Sequence, residues 1–168
     1  IPVPAVSVDL SSIKKMIHRF NPTMIIFMGD LFHSSLNNEW KDFKDFLLRY
    51  PNTEYVLTKG NHDILASAVM EETSIKVVQE FEIGEYLLLS HAPMATVPKE
   101  KLNIVGHLHP GVLIKTKSRQ SYRLPCFYYH GQCFILPAFG QLTGLHILKK
   151  ATGAKIYPVF LDEVIALP

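Results

Sequence analysis

Four times along this chain a short apolar run breaks off into a turn built from small residues, Asp, Asn and His. The turns read Met28-Gly29-Asp30-Leu31-Phe32-His33, Gly60-Asn61-His62-Asp63, Leu89-Ser90-His91-Ala92-Pro93 and Val105-Gly106-His107-Leu108-His109. Apolar runs of this length read as strands, and in open α/β sheets ligands bind beyond the carboxyl ends of the strands. The pattern therefore favours a fold that gathers several strand ends at one crevice. Five of the eight histidines lie in these turns. The other three, His18, His130 and His146, have no companion ligand nearby and read as ordinary surface or strand residues.

The rest of the chain supports such a fold. A helix is expected over 11–20, capped by Ser11 or Ser12, with Ile13, Ile17 and Phe20 on one stripe and Pro22 ending it. Residues 23–28 form a continuous apolar run, expected as a strand buried on both faces. A second helix over 39–50 places Trp40, Phe43, Phe46, Leu47 and Tyr50 at helical spacing. A strand over 54–58 and a weakly helical stretch over 65–72 follow. From there β-prone runs dominate: 77–83 and 86–90 around Gly84-Glu85, then 102–105, 112–116, 123–129, 133–136, 145–148 and 156–161. Alternating helices and strands followed by a strand-rich half predict one α/β domain over 1–168, with two packed mixed β-sheets flanked by helices.

Composition removes several alternatives. With 48% hydrophobic and 19% charged residues over 168 positions, the chain can bury a core and is not a disordered segment. Two cysteines, Cys126 and Cys133, are too few for a disulfide framework and point to a reducing compartment. Their spacing around His130 does not suit a zinc clip, so they read as buried strand residues. No apolar run approaches the length of a membrane span, and a cytoplasmic location is expected. Serine-hydrolase, P-loop and dinucleotide-binding motifs are missing from the sequence.

Charge is unevenly placed. Residues 1–100 hold 9 Lys+Arg and 13 Asp+Glu, a balance of −4, whereas residues 101–168 hold 8 and 2, a balance of +6. Lys115, Lys117, Arg119 and Arg123, with Tyr122 between them, read as a hairpin able to track a phosphate backbone, or as an ordinary solvated sheet face.

Imidazole nitrogens with carboxylate and amide oxygens, and no thiolate, suit borderline to hard divalent cations. Taken in order, GDLFH, GNHD, SHAP and GHLHPG resemble the metal-site blocks of the calcineurin-like metallophosphoesterases over residues 23–114. IPVP at 1–4, LPCF at 124–127 and LPAFGQLTG at 136–144 further resemble the ligase-associated phosphoesterase (PdeM-type) branch. The resemblance implies a four-layer α/β/β/α sandwich and a dinuclear site, with Mn as the first choice of metal and Fe, Zn, Co or Ni as alternatives. It implies Asp30 bridging both ions, Asn61, His91 and His107 on one ion, and His109 on the other. His62 would protonate the leaving oxygen, Asp63 would orient it, and His33 would stand in or just behind the ligand shell. The implied activity is phosphodiester or phosphomonoester hydrolysis by a metal-bridging hydroxide, of a nuclease kind connected with DNA repair. DNA and a DNA ligase or helicase are the partners implied.

One block of the family pattern is missing. The Asp-x-His pair of the family's first strand has no counterpart, because Asp9-Leu10-Ser11 is Asp-x-Ser and reads as a turn before the first helix. The chain begins at Ile1, and the missing pair is expected upstream of it. Without that pair, one ion would keep only Asp30 and His109 as protein ligands. A non-catalytic scaffold with an incomplete metal site is therefore the competing expectation.

Overall fold

A computed structural model of the chain describes residues 5–31, 38–61, 63, 73–116, 118–140, 143–161 and 163–166. The fold is mixed α/β with two sheets and two helices among the described residues. It divides into two compact units, one comprising residues 1–79 and 140–142, the other 80–139 and 143–168.

The first unit contains α1 (Ala5–Phe20), β1 (Met24–Phe27), α2 (Asn38–Arg49), β2 (Glu54–Thr58) and β3 (Ile75–Val78). The three strands form one parallel sheet in the order β1-β2-β3. Ile13 and Ile17 of α1, Trp40, Phe43, Phe46 and Leu47 of α2, and Tyr55, Leu57 and Ile75 of the sheet share a single core, joined by Ile25 and Phe27. Spacing of three and four along each helix and of two along each strand accounts for that selection. Helix α1 starts six residues earlier than the capping serines predict, so Asp9 lies within it and is not a turn residue. Ser11 is exposed and Ser12 half-buried on the running helix, where a local capping preference yields to the packed stripe of Leu10, Ile13 and Ile17. The helix ends as expected: Asn21 turns left-handed at φ 44° and its N–H donates to Ile17 O at 2.8 Å, with Pro22 next.

Strand β1 is half-buried throughout, not buried on both faces. It is an end strand of this sheet, and Ile25 and Phe27 are the two of its residues that join the helical core. Strand β2 is central and loses all but Glu54 to the interior. The helical stretch expected over 65–72 lies outside the described residues.

The second unit is built from β4 (Glu80–Ile83), β5 (Leu87–Ser90), β6 (Leu102–Val105), β7 (Pro110–Lys115), β8 (Ser121–His130), β9 (Cys133–Ile135), β10 (His146–Ile147), β11 (Lys155–Phe160) and β12 (Glu163–Val164). The main path runs β10-β7-β8-β9-β6-β5-β4, with β11 on β8 and β12 on β11. Its core joins Val105, Cys126, Tyr128, Ile135, Ala154 and Ile156. The run expected as one strand over 77–83 is two strands in different sheets, divided at Gln79. Apolar patterning cannot register that change of partner, since both halves are equally β-prone. Strands β4 and β5 form the expected hairpin, with Gly84 left-handed at φ 59° in the turn. The closing strand β12 has no signal in the sequence, because its two residues are exposed and carry no alternation. No helix among the described residues is long and apolar enough to cross a membrane.

The helical core is expected to be sensitive in proportion to burial. Leu57, 1% exposed, should lose about 2–5 kcal/mol of stability on truncation to Ala, while Leu48→Ala at 77% exposure should change it by less than about 0.5 kcal/mol. Urea unfolding of the two variants measures both values.

Candidate metal centre

In the first unit the parallel register aligns Phe27 with Leu57, so the chain leaves β1 and β2 side by side. Beyond those ends Asp30 and Gly60 meet. A Cβ on Gly60 would fall on the Asp30 carboxylate and its backbone nitrogen, so only glycine permits this approach. Asp30 itself is held left-handed at φ 52°, immediately after Gly29 at φ 86°. For a residue with a Cβ that conformation is costly, and such strain persists only where surrounding contacts hold it.

Asp63 supplies those contacts. Its Oδ2 accepts from Asp30 N at 3.0 Å and Gly60 N at 2.8 Å, and its Oδ1 accepts from Leu31 N at 2.8 Å. Only 9% exposed, this carboxylate ties the β1 loop to the β2 loop through three backbone donors. The sequence alone assigns Asp63 no such role, because its partners Asp30 and Leu31 lie more than thirty positions away. Asn61 is exposed in the turn that follows Gly60. His33 and His62 lie outside the described residues.

In the second unit β5 and β6 are parallel with Ser90 opposite Val105, so His91 and His107 emerge from neighbouring strand ends. Their rings meet edge to face with centroids 4.6 Å apart. His91 is buried and His107 half-buried. The loop carrying His107 is tightly folded: Leu108 N donates to Gly106 O at 2.6 Å, and His107 and His109 are left-handed at φ 53° and 44°. The segment is turned, not extended, so simple alternation does not set the directions of its two imidazoles. The backbone of His109 is engaged in strand pairing, its carbonyl accepting from His146 N at 2.9 Å.

The donor chemistry fits a divalent cation. His107 Nδ1 is buried and has no hydrogen-bond partner, a state that costs about 1–3 kcal/mol for a polar atom unless something ligates it. The His107 ring packs against a neighbouring imidazole, and the turns beside it offer nitrogen and oxygen donors. Both thiols are elsewhere: burial pushes Cys126 up to about 11 and Cys133 in the same direction, which keeps them protonated and inert. Cys126 lies in the core opposite Pro158, and Cys133 pairs with His130 across the β8–β9 turn. His130 donates to Thr152 O at 3.2 Å, and His18 meets the Tyr50 hydroxyl at 3.3 Å.

The β7–β8 hairpin sorts the basic residues by face. Leu113 pairs with Arg123 and Ile114 with Tyr122, so Lys115 and Arg123 share one face and Tyr122 takes the other. Arg119 occupies the turn at φ 62°, and Lys117 lies outside the described residues. Lys115, Arg119 and Arg123 are all exposed.

The chain is similar to known proteins in both sequence and fold. The family model described as calcineurin-like phosphoesterase matches residues 8–132. The crystal structure of the Pseudomonas putida nuclease MPE is similar to this chain with a TM-score of 0.81 and 27% identity, over 96% of this chain and 78% of that one. No curated protein matches the chain.

Removing the Asp63 carboxylate leaves three backbone N–H groups without their acceptor. Asp63→Ala is expected to lower stability by about 2–5 kcal/mol, with Asp63→Asn intermediate because one oxygen survives. Denaturant midpoints of the two variants beside wild type test the ordering.

Proposed function

Because the chain belongs to the calcineurin-like phosphoesterase family, whose members hydrolyse phosphoesters with metal ions, we propose that it is a phosphodiesterase of the nuclease type. The observation that carries this reading is the His91–His107 pair, with the buried, unpartnered Nδ1 of His107 beside a second imidazole at adjoining strand ends. The family resemblance assigns Asp30, Asn61, His91 and His107 to one ion. His109 would hold a second ion, with Asp30 as its other protein ligand. Bound divalent cations would supply Lewis acidity, activating water and neutralising the phosphoryl oxygens in a site whose neutral donors leave net positive charge. Manganese is the metal proposed first.

The protein's own residues divide the remaining work. Asp63 holds the Asp30 loop through its three backbone contacts, so the Asp30 carboxylate is presented at a set position. His62, one residue before Asp63, is proposed to donate the proton to the leaving oxygen. An imidazole with a pKa near neutrality is suited to that transfer. The strings IPVP, LPCF and LPAFGQLTG support, in this reading, the ligase-associated branch and a role in DNA repair. DNA is the proposed substrate polymer, with the face of Lys115 and Arg123 following its phosphates.

Manganese-dependent hydrolysis of a chromogenic phosphodiester by wild type, beside His62→Ala, tests the reading. A loss of about 10²–10⁴ in rate is expected for the variant, and equal rates would leave a non-catalytic scaffold as the answer. For the polymer, Lys115→Glu with Arg123→Glu should weaken single-stranded DNA binding and flatten its dependence on log salt by about 0.7 per lost contact. An unchanged slope in fluorescence-anisotropy titrations would rule out these two residues as phosphate contacts.

A further inference from the structure

Asn103 in β6 is one of the few polar side chains with no exposure at all, and it does not belong to any of the four turns. Its Nδ2 donates to Leu88 O at 3.0 Å and to Ser90 Oγ at 2.9 Å, and its Oδ1 accepts from Met94 N at 3.1 Å. Ser90 Oγ in turn donates to Ala92 O at 2.9 Å. These four bonds grip the chain at residues 88, 90, 92 and 94, on both sides of His91. Gly106 N donates to His91 O at 3.1 Å, which ties the same loop to the segment carrying His107.

The chemistry demands an amide. Leucine could fill the volume but would offer no bonds, and a carboxylate would set an acceptor against Leu88 O where a donor is required. A fully satisfied buried amide contributes little net stability over a well-packed apolar residue, so its distinctive product is geometry. That geometry concerns one loop. Asn103 lies on the strand that delivers His107, and its side chain dictates the path of the loop that delivers His91.

We propose that Asn103, acting with Ser90, is a positioning residue that holds His91 at its working distance from His107 in the metal centre. The inference rests on the metal-site reading given above. Asn103 acts through the backbone around His91 and touches no substrate.

Manganese affinity, measured by titration well below the melting temperature, provides the test in wild type, Asn103→Leu, Ser90→Ala and His91→Ala, and in the two double variants with His91→Ala. Asn103→Leu is expected to weaken binding about tenfold or more, the range found for residues that orient metal ligands, and Ser90→Ala by less. Neither should weaken it further once His91 is absent, because a residue acting through His91 loses its effect with it. A general packing defect would instead persist in that background, and melting with excess chelator reports such a defect separately. Single variants that bind as wild type does, or losses undiminished without His91, would overturn the positioning role while leaving the metal centre standing. If Asn103→Leu fails to fold, Ser90→Ala decides by the same criteria. Affinity unchanged in His91→Ala would remove the metal assignment and this inference together.

Discussion

Parallel pairing delivers both members of a strand pair to the same edge, and the chemistry of this protein depends on that constraint. Phe27 opposite Leu57 brings the Asp30 and Gly60 loops together, and Ser90 opposite Val105 does the same for His91 and His107. An antiparallel arrangement of either pair would send the two loops to opposite ends. Each pair also needs a buried core to hold its register, because a slip by one residue would exchange the inward and outward faces of the strand. In the first unit that core comes from aromatic residues of α2 against Tyr55 and Leu57, and in the second from Val105, Tyr128 and Ile135.

Each pair then carries a polar device that converts a strand end into a defined loop. Asp63 gathers three backbone donors around a left-handed Asp30, and Asn103 joins four points around His91 through Ser90. Both are buried, and both act on the backbone next to a candidate ligand. Holding a loop in this way offsets the cost of positive φ at Asp30, since that conformation is sustained by hydrogen bonds local strain cannot displace. The same close approach accounts for Gly60, whose missing Cβ allows the Asp30 carboxylate to lie so near.

The relation to other proteins can be read at two depths. Family membership, carried by residues 8–132, and the likeness to a bacterial nuclease over 96% of the chain establish a calcineurin-like phosphoesterase framework. Substrate, metal identity and the acid that serves the leaving group depend on individual side chains, and His62 and the hairpin cations are where the proposal commits itself. On that hairpin the sequence-level picture of cations interleaved with an aromatic residue changes once the register is known. Lys115 and Arg123 share a face that Tyr122 does not, so Tyr122 and these two cations do not act from one side of the hairpin.

Much of this was legible in the residues. Apolar runs ending in Gly, Asp, Asn and His marked the strands and their functional ends, and helical spacing picked out Trp40, Phe43, Phe46 and Leu47 as a core face. Such signals are local, arising from side-chain periodicity and turn chemistry within a few residues. Tertiary structure decided what local patterning cannot encode: the division of 77–83 between two sheets, the turned path through His107 and His109, and the partners of Asp63 and Asn103. Those outcomes depend on contacts between residues far apart in sequence. Only the pairing of strands determines which backbone donors a buried carboxylate or amide will find.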